Sequence, residues 1–176
     1  MHSLICLHLN NSEGYEMSTI FRKTIERSKA WFLSLDHVGL FKSLQFRGDN
    51  ALHGEPISAL DGVPTAIKDE IDYLPYPTTG GTKWLHKVRP CMDDACCVKH
   101  LRLCGAILVG KTNMHELRAV TSGINPHYGV TKNPYDTGRI FGCASSGSAA
   151  VVSAGLCPVA LGVDGGGDFS RAAGPQ

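Results

Sequence analysis

The chain has 176 residues, of which 43% are hydrophobic and 19% are charged, and its formal net charge is +1. This composition is typical of a globular protein with enough chain for one domain or a large part of one, and it excludes the strongly basic character of nucleic-acid-binding domains. No run approaches the roughly 18 consecutive apolar residues of a membrane helix, and the first residues lack the basic leader and long apolar run of a secretory signal.

The first part of the chain is predicted to be helical. Within residues 13–34, the apolar side chains Ile20, Phe21 and Ile25 recur on one side of a helix, and charged residues occupy the other side. Glycine and proline then interrupt residues 35–60, as in a loose connection. We therefore expect a helical lead-in over residues 1–53 and a main domain over residues 54–176.

The main domain alternates between strand and helix patterns. Three apolar runs have the length of buried strands, at residues 63–67, 106–110 and 158–163. Between the first two, Asp93 or Asp94 is expected to cap a helix that ends at Gly105. A helix of small residues is predicted over residues 146–154, closed by Gly155. This alternation predicts an α/β fold.

Seven cysteines are an odd number, and their spacing fits no disulfide framework. Four of them cluster, at positions Cys91, Cys96, Cys97 and Cys104. They lack the paired C-x-x-C spacing that tetrahedral zinc sites favour, so no metal site is predicted. We expect buried free thiols in a reducing compartment.

The first residue that could carry chemistry is Lys68, which follows directly after the apolar run of residues 63–67. A lysine at the end of a buried strand can be partly desolvated, which favours the neutral amine that a general base needs. The alternative is an ordinary lysine that pairs with Asp69, Glu70 or Asp72.

A serine-rich turn, residues 142–148, leads into the small-residue helix. A serine there can cap the helix by accepting hydrogen bonds from its first amides. Alternatively, the turn is catalytic and uses the helix dipole to favour a developing anion. A phosphate cradle is a weak hypothesis, because no Gly-Lys-Ser/Thr follows.

Three consecutive glycines, Gly165, Gly166 and Gly167, follow the last predicted strand. Glycines in a row free the backbone to point several N–H groups at one spot, as an oxyanion hole requires. The alternative is a flexible turn.

Taken together and in order, these segments resemble the amidase signature family, and most of all the fatty acid amide hydrolases. The similarity runs over residues 54–167 and includes Asp-Gly-Val-Pro-Thr-Ala-Ile-Lys-Asp at 61–69, Gly-Lys-Thr-Asn-Met at 110–114 and Gly-Leu-Cys-Pro-Val-Ala-Leu-Gly at 155–162. The resemblance implies the N-terminal portion of an α/β fold with a mixed central sheet flanked by helices. It also implies hydrolysis of N-acyl amides by a Ser–cisSer–Lys mechanism, without metal or organic cofactor.

Carried over by position, the resemblance makes Lys68 the general base and the three-glycine turn the oxyanion hole. The relay serine of the family falls on Ala144, and its nucleophile falls on Asp168. A methyl group cannot relay a proton, and a carboxylate is a poor nucleophile toward amides. Ser170 is the alternative nucleophile, provided that Asp168 and Phe169 are an insertion.

We therefore expect an inactive member of an amide-hydrolysing family whose sequence covers part of the domain. Two alternatives stay open: a non-catalytic module that binds acyl amides, and a protein like the amidase partner in a tRNA-dependent amidotransferase. The expected ligand is a small N-acyl amide, with no nucleic-acid partner, and the sequence gives no oligomeric state. The expected location is the cytoplasm or the periphery of an intracellular membrane.

Overall fold

The computed structural model describes residues 31–35 and 56–163. Four short strands form one sheet, and a further pair of strands forms a hairpin. In chain order, the strands are β1 (Phe32–Leu35), β2 (Pro64–Lys68), β3 (Ile107–Thr112), β4 (Ile124–Asn125), β5 (Gly129–Val130) and β6 (Val159–Leu161). The helices are α1 (Leu85–Val88), α2 (Cys96–Leu103) and α3 (Ser146–Ser153), with a 3₁₀ turn at Glu116–Arg118. Of these described helices, none is long and apolar enough to cross a membrane.

The main sheet is mixed, with strand order β1-β3-β2-β6. Strand β2 pairs in parallel with both β3 and β6, whereas β1 runs antiparallel to β3. Because parallel neighbours end at the same edge, the carboxyl ends of β2, β3 and β6 lie side by side. The predicted α/β fold with a mixed, helix-flanked sheet is confirmed.

Successive residues of β2 point to opposite faces of the sheet, and each face is covered. Ala66 packs in a cluster with Ala149, Ala150 and Val151 of α3. Its neighbour Ile67 packs in a second cluster with Val98 of α2. Covering on both faces explains why the strand sequences are continuous apolar runs rather than alternating ones.

The strands predicted at residues 63–67, 106–110 and 158–163, and the helices predicted to end at Gly105 and over residues 146–154, are present within a few residues of their expected bounds. The helix cap was predicted wrongly, because the residue before α2 is Ala95 and no side chain caps this helix. Asp94 is engaged elsewhere: its carboxylate accepts a 2.7 Å hydrogen bond from the Leu74 amide and pairs with Arg102. Strand β6 is also less covered than its sequence indicates, since its three residues are half-buried.

The prediction of a helix that continues to residue 34 is wrong for the part that the structure describes. Residues Phe32–Leu35 form strand β1, whose backbone pairs with β3 from Thr112 to Gly110. Trp31, just before the strand, is buried, and its indole N–H donates to the Lys132 carbonyl at 3.1 Å. Pairing with a distant strand has thus overridden the local helical pattern. The rest of the predicted lead-in, and its boundary at residue 53, lie outside the described residues.

The expectation of buried thiols holds for only some cysteines. Cys143 and Cys157 are buried, but Cys91 and Cys104 are half-buried, and both Cys96 and Cys97 are exposed. Cys96 and Cys97 are exposed because α2 packs through one narrow face, on which Val98 is the buried residue.

Helix α3 approaches the sheet closely at Gly147. A methyl group on this glycine would lie 2.5 Å from the carbonyl oxygen of Asn113 and 2.6 Å from that of Trp31. The Gly147 amide donates a 3.0 Å hydrogen bond to the Asn113 carbonyl. The small residue therefore lets the start of α3 sit against the end of β3.

A buried polar network fixes the segment that follows β2. Asp69 is 1% exposed, and its carboxylate accepts hydrogen bonds from the backbone amides of Thr79 and Gly81 and from the Thr79 hydroxyl. The ammonium of Lys111, in β3, lies 3.6 Å from Asp69 and donates to the Ile71 carbonyl and to Thr78. The loop after Lys68 is thereby tied to two neighbouring strands.

Burial dominates the electrostatics of Asp69 and Lys111. Loss of solvation raises the pKa of Asp69 above its ordinary value, although the Thr79 hydrogen bond and the Lys111 charge act to lower it. Loss of solvation likewise lowers the pKa of Lys111, against the attraction of Asp69. Both shifts disfavour charge, so the pair holds position through its hydrogen bonds more than through net Coulomb energy.

Gly147→Ala is expected to lower the free energy of unfolding, because backbone oxygens leave no room for a methyl group. Overpacking of this kind typically costs about 1–3 kcal/mol. Gly142→Ala is the matched control, since a methyl group there would meet only the Thr121 carbonyl, at 3.7 Å. Urea denaturation should show an effect of less than about 0.5 kcal/mol for the control. Equal effects of the two substitutions would contradict the close approach of α3.

The stability contributed by Asp69 is expected to fall as the pH rises. A carboxyl whose folded pKa is raised above its unfolded value of 3.8 stabilises the fold below that value and loses this contribution through the raised pKa. The unfolding free energy of the wild type minus that of Asp69→Asn should therefore decrease above about pH 4, by at most about 1.4 kcal/mol per pH unit.

Asp72 supplies a control of opposite sign. The hydrogen bond from Arg89 lowers the pKa of Asp72, so its contribution is present above pH 3.8 and lost as the pH falls through the folded pKa. The same difference measured with Asp72→Asn should rise with pH in acid. A wild-type-minus-Asp69→Asn difference that rises with pH would contradict the assigned direction.

Candidate active site

Lys68 is the last residue of β2, and its side chain is fully buried. Its ammonium lies 2.9 Å from Oε1 of Glu70 and donates to the Val163 carbonyl at 3.4 Å. The lysine thus reaches the carboxyl end of β6, as the parallel pairing of β2 and β6 requires. The sequence left open whether Lys68 pairs with a neighbouring acid, and Glu70 is that partner.

The serine-rich turn runs into the first residues of α3, and residues 143–148 are buried. None of its serines caps the helix, because no side chain hydrogen-bonds to the first amides. Instead, Ser146 hydrogen-bonds to the Thr131 hydroxyl at 2.9 Å, and Ser148 bridges Thr112 at 2.7 Å and the Leu161 carbonyl at 3.2 Å. The capping interpretation of the turn is therefore wrong.

Ser145 shares an acceptor with the lysine. Its hydroxyl donates to the Val163 carbonyl at 3.2 Å, and the Lys68 ammonium donates to the same oxygen. A carbonyl oxygen has two lone pairs and can accept both bonds. Lys68, the serine turn and the end of β6 therefore meet at one point.

Ala144 precedes Ser145 in this turn and is 5% exposed. Its carbonyl accepts a 3.2 Å hydrogen bond from the His115 amide, which fixes the backbone. Its methyl group offers neither a donor nor an acceptor to the surrounding polar groups. The position predicted for a relay hydroxyl is thus buried beside Ser145.

The other predicted site residues follow Val163 in the sequence and lie outside the described residues. They are the glycines Gly165, Gly166 and Gly167, the aspartate Asp168 at the predicted nucleophile position, and the alternative nucleophile Ser170. Their roles stay predictions. Val163, the last described residue, lies two positions before Gly165, and its carbonyl accepts hydrogen bonds from both Lys68 and Ser145.

The site includes an ion-pair chain that sequence reasoning did not find. Glu70 contacts Lys68 through one oxygen and the guanidinium of Arg118 through the other, at 2.7 Å. Arg118 adopts a left-handed backbone with φ 59°, a conformation that favours glycine. Sequence patterns could not reveal this contact, because Arg118 and Glu70 are 48 positions apart in the chain.

The described residues hold no group of three or more His, Cys, Asp or Glu side chains that could bind a metal ion. The described polar partners of the Lys68 ammonium are instead the Glu70 carboxylate and the Val163 carbonyl, and the Val163 carbonyl also accepts from the Ser145 hydroxyl. These groups can hold an ammonium and orient a hydroxyl.

Comparison with known proteins gives the same family as the motifs. The fatty acid amide hydrolase of Arabidopsis thaliana is 60% identical over 114 residues, which cover 65% of this chain and 19% of that protein. A glutamyl-tRNA(Gln) amidotransferase subunit from Solidesulfovibrio magneticus is 42% identical over 132 residues, which cover 75% of this chain and 26% of that protein. This chain therefore spans about a fifth of the length of the first relative and a quarter of the second.

The solved structure of the peptide amidase from Stenotrophomonas maltophilia matches with a TM-score of 0.77 and 29% identity, over 94% of this chain and 35% of that enzyme. The model of the Amidase family matches residues 42–168, which include the lysine strand, the serine turn and the glycine run. The chain belongs to the amidase family.

Proposed function

We propose that this chain carries the N-terminal half of an N-acyl-amide-hydrolysing site but does not itself hydrolyse amides. The observation that carries the proposal is Ala144, a buried alanine one residue before Ser145, whose hydroxyl shares the Val163 carbonyl with Lys68. In the family mechanism, the lysine takes a proton from a relay serine, which takes one from the nucleophile. With alanine at the relay position, the proton path from nucleophile to Lys68 is interrupted.

The sequence beyond Val163 supports the same proposal. Asp168 stands 24 positions after Ala144, the interval at which the family places its nucleophilic serine after its relay serine. A carboxylate at that position would accept the hydrogen bonds intended for the oxyanion and would attack an amide poorly. Two of the three catalytic side chains are then missing, and the loss of one is enough to disable a triad that acts as a unit.

The relatives support the N-acyl amide class. The Arabidopsis fatty acid amide hydrolase is more similar to this chain than the amidotransferase protein is, at 60% against 42% identity. A module that binds acyl amides without turnover is the second candidate, since Lys68 is present and buried whereas the relay position carries alanine. Saturable binding of a long-chain N-acyl amide, without release of amine, would favour it.

The chain is expected to show no amidase activity and no covalent labelling by a serine-directed fluorophosphonate. The reason is that neither Ala144 nor Asp168 carries a hydroxyl. Mass spectrometry of the labelled peptides is the measurement, with Ser170→Ala as the control variant. Label on Ser170 that disappears in Ser170→Ala would contradict the proposal and assign the nucleophile to Ser170.

A chimaera separates the effect of the relay position from that of residues outside 56–163. Residues 56–163 of this chain replace the matching segment of the Arabidopsis enzyme, which then supplies the rest of the domain and the nucleophile. Ala144→Ser in this chimaera should raise kcat/KM about 10²–10⁴-fold, the usual contribution of general acid–base catalysis.

Ser145→Ala is the matched control, because Ser145 is the neighbouring hydroxyl that also reaches Val163. In the Ala144→Ser chimaera, Ser145→Ala should preserve most of the gain. If Ala144→Ser adds nothing and Ser145→Ala alone abolishes turnover, Ser145 is the relay and the proposal is wrong.

A further inference from the structure

Helix α2 presents two adjacent exposed thiols, and the groups next to their sulfur atoms differ. Cys96 and Cys97 are the first two residues of the helix. The sulfur of Cys96 lies 3.8 Å from Nδ1 of His100, one turn further along. Among the described residues, Cys97 has no such partner. The pair of residues therefore offers one thiol with an adjacent base and one without.

An imidazole beside a thiol changes its reactivity because the thiolate, and not the thiol, is the nucleophile. Neutral imidazole can take the proton, and the imidazolium that results stabilises the sulfur anion. The charged neighbours of this pair are largely committed to one another: Lys99 pairs with Asp93, and Arg102 pairs with Asp94. His100 is thus the group on this face of α2 that is placed to accept the thiol proton.

The other described cysteines are less suited to react. Cys143 and Cys157 are buried, and burial raises the pKa of the Cys157 thiol to about 12. Cys91 is half-buried and donates to the carbonyl of Asp93 at 3.5 Å, and Cys104 is half-buried at the end of α2. Of the described cysteines, Cys96 combines an exposed thiol with an adjacent base.

We propose that Cys96 is a site of thiol modification, at which the chain exchanges with small disulfides such as oxidised glutathione while His100 accepts the proton. Nδ1 of His100 takes the thiol proton, and the Cys96 thiolate attacks one sulfur of the small disulfide. The new bond joins Cys96 to that sulfur, and the second glutathione leaves as a thiolate that recovers the proton. Cys96 is oxidised to the disulfide level, and the leaving sulfur is reduced.

This proposal is independent of amide hydrolysis, since neither Cys96 nor His100 takes part in the described hydrogen bonds of Lys68 and Ser145 to the Val163 carbonyl. Under this proposal, the oxidation state of Cys96 responds to the thiol–disulfide balance around the protein. A free thiol in a reducing compartment and a mixed disulfide under oxidation are the two states.

The test treats the full chain with oxidised glutathione at neutral pH and locates the mixed disulfide by fragmentation mass spectrometry. Cys97→Ser and Cys96→Ser leave a single thiol at the start of α2 in each variant. We expect Cys97→Ser to be modified at Cys96 at the wild-type rate, and Cys96→Ser to be modified at Cys97 several-fold more slowly. In high urea, where α2 is unfolded, the two rates should converge.

His100→Gln is the decisive variant, since glutamine retains a polar side chain on the helix but cannot accept the proton. It should slow modification of Cys96 to the rate of Cys97 and leave Cys97 unchanged. Equal rates at the two thiols in native buffer, or an unchanged Cys96 rate in His100→Gln, would overturn the proposal.

Discussion

The parallel pairing of β2 with both β3 and β6 is the constraint on which the rest of the structure depends. It sets the carboxyl ends of three strands at one edge, and those ends carry Lys68, Thr112 and the segment that leads to Val163. Lys68 reaches β6 only because β6 is its direct neighbour in the sheet. Without that pairing, residues 95 positions apart in sequence would have no reason to meet.

The helices and the buried polar network both hold residues in place at this edge of the sheet. Gly147 lets the start of α3 rest on the backbone of Asn113, which brings Ser145 to Val163. Asp69 and Lys111 hold the loop after β2 through hydrogen bonds that burial makes costly to leave unmade. The site is thus built by packing and hydrogen bonding of the scaffold, which can persist where catalytic hydroxyls are absent.

Much of this arrangement could be predicted from the sequence, because buried parallel strands have continuous apolar sequences bounded by glycine. The runs at residues 63–67 and 106–110, and the helix closed by Gly155, are local patterns of that kind. Strand β1 could not be predicted, since residues 32–35 become a strand through pairing with β3. The Glu70–Arg118 contact and the exposure of Cys96 were equally hidden, because each depends on tertiary placement and not on neighbours in the chain. Of the candidate site, Lys68 and the serine turn were found from their motifs, and their meeting at Val163 required the fold.

The central claim is that the site retains its lysine and its scaffold but has a methyl group where a relay hydroxyl is needed. A crystal structure of the full chain, resolving the residues after Val163, tests it most directly. The account predicts that the Ala144 methyl group lies between the Lys68 ammonium and the Asp168 carboxylate, with the amides of Gly165–Gly167 directed into the same pocket. A structure with the Ser145 hydroxyl hydrogen-bonded to Lys68 and with the Ser170 hydroxyl within reach of Ser145 would contradict it.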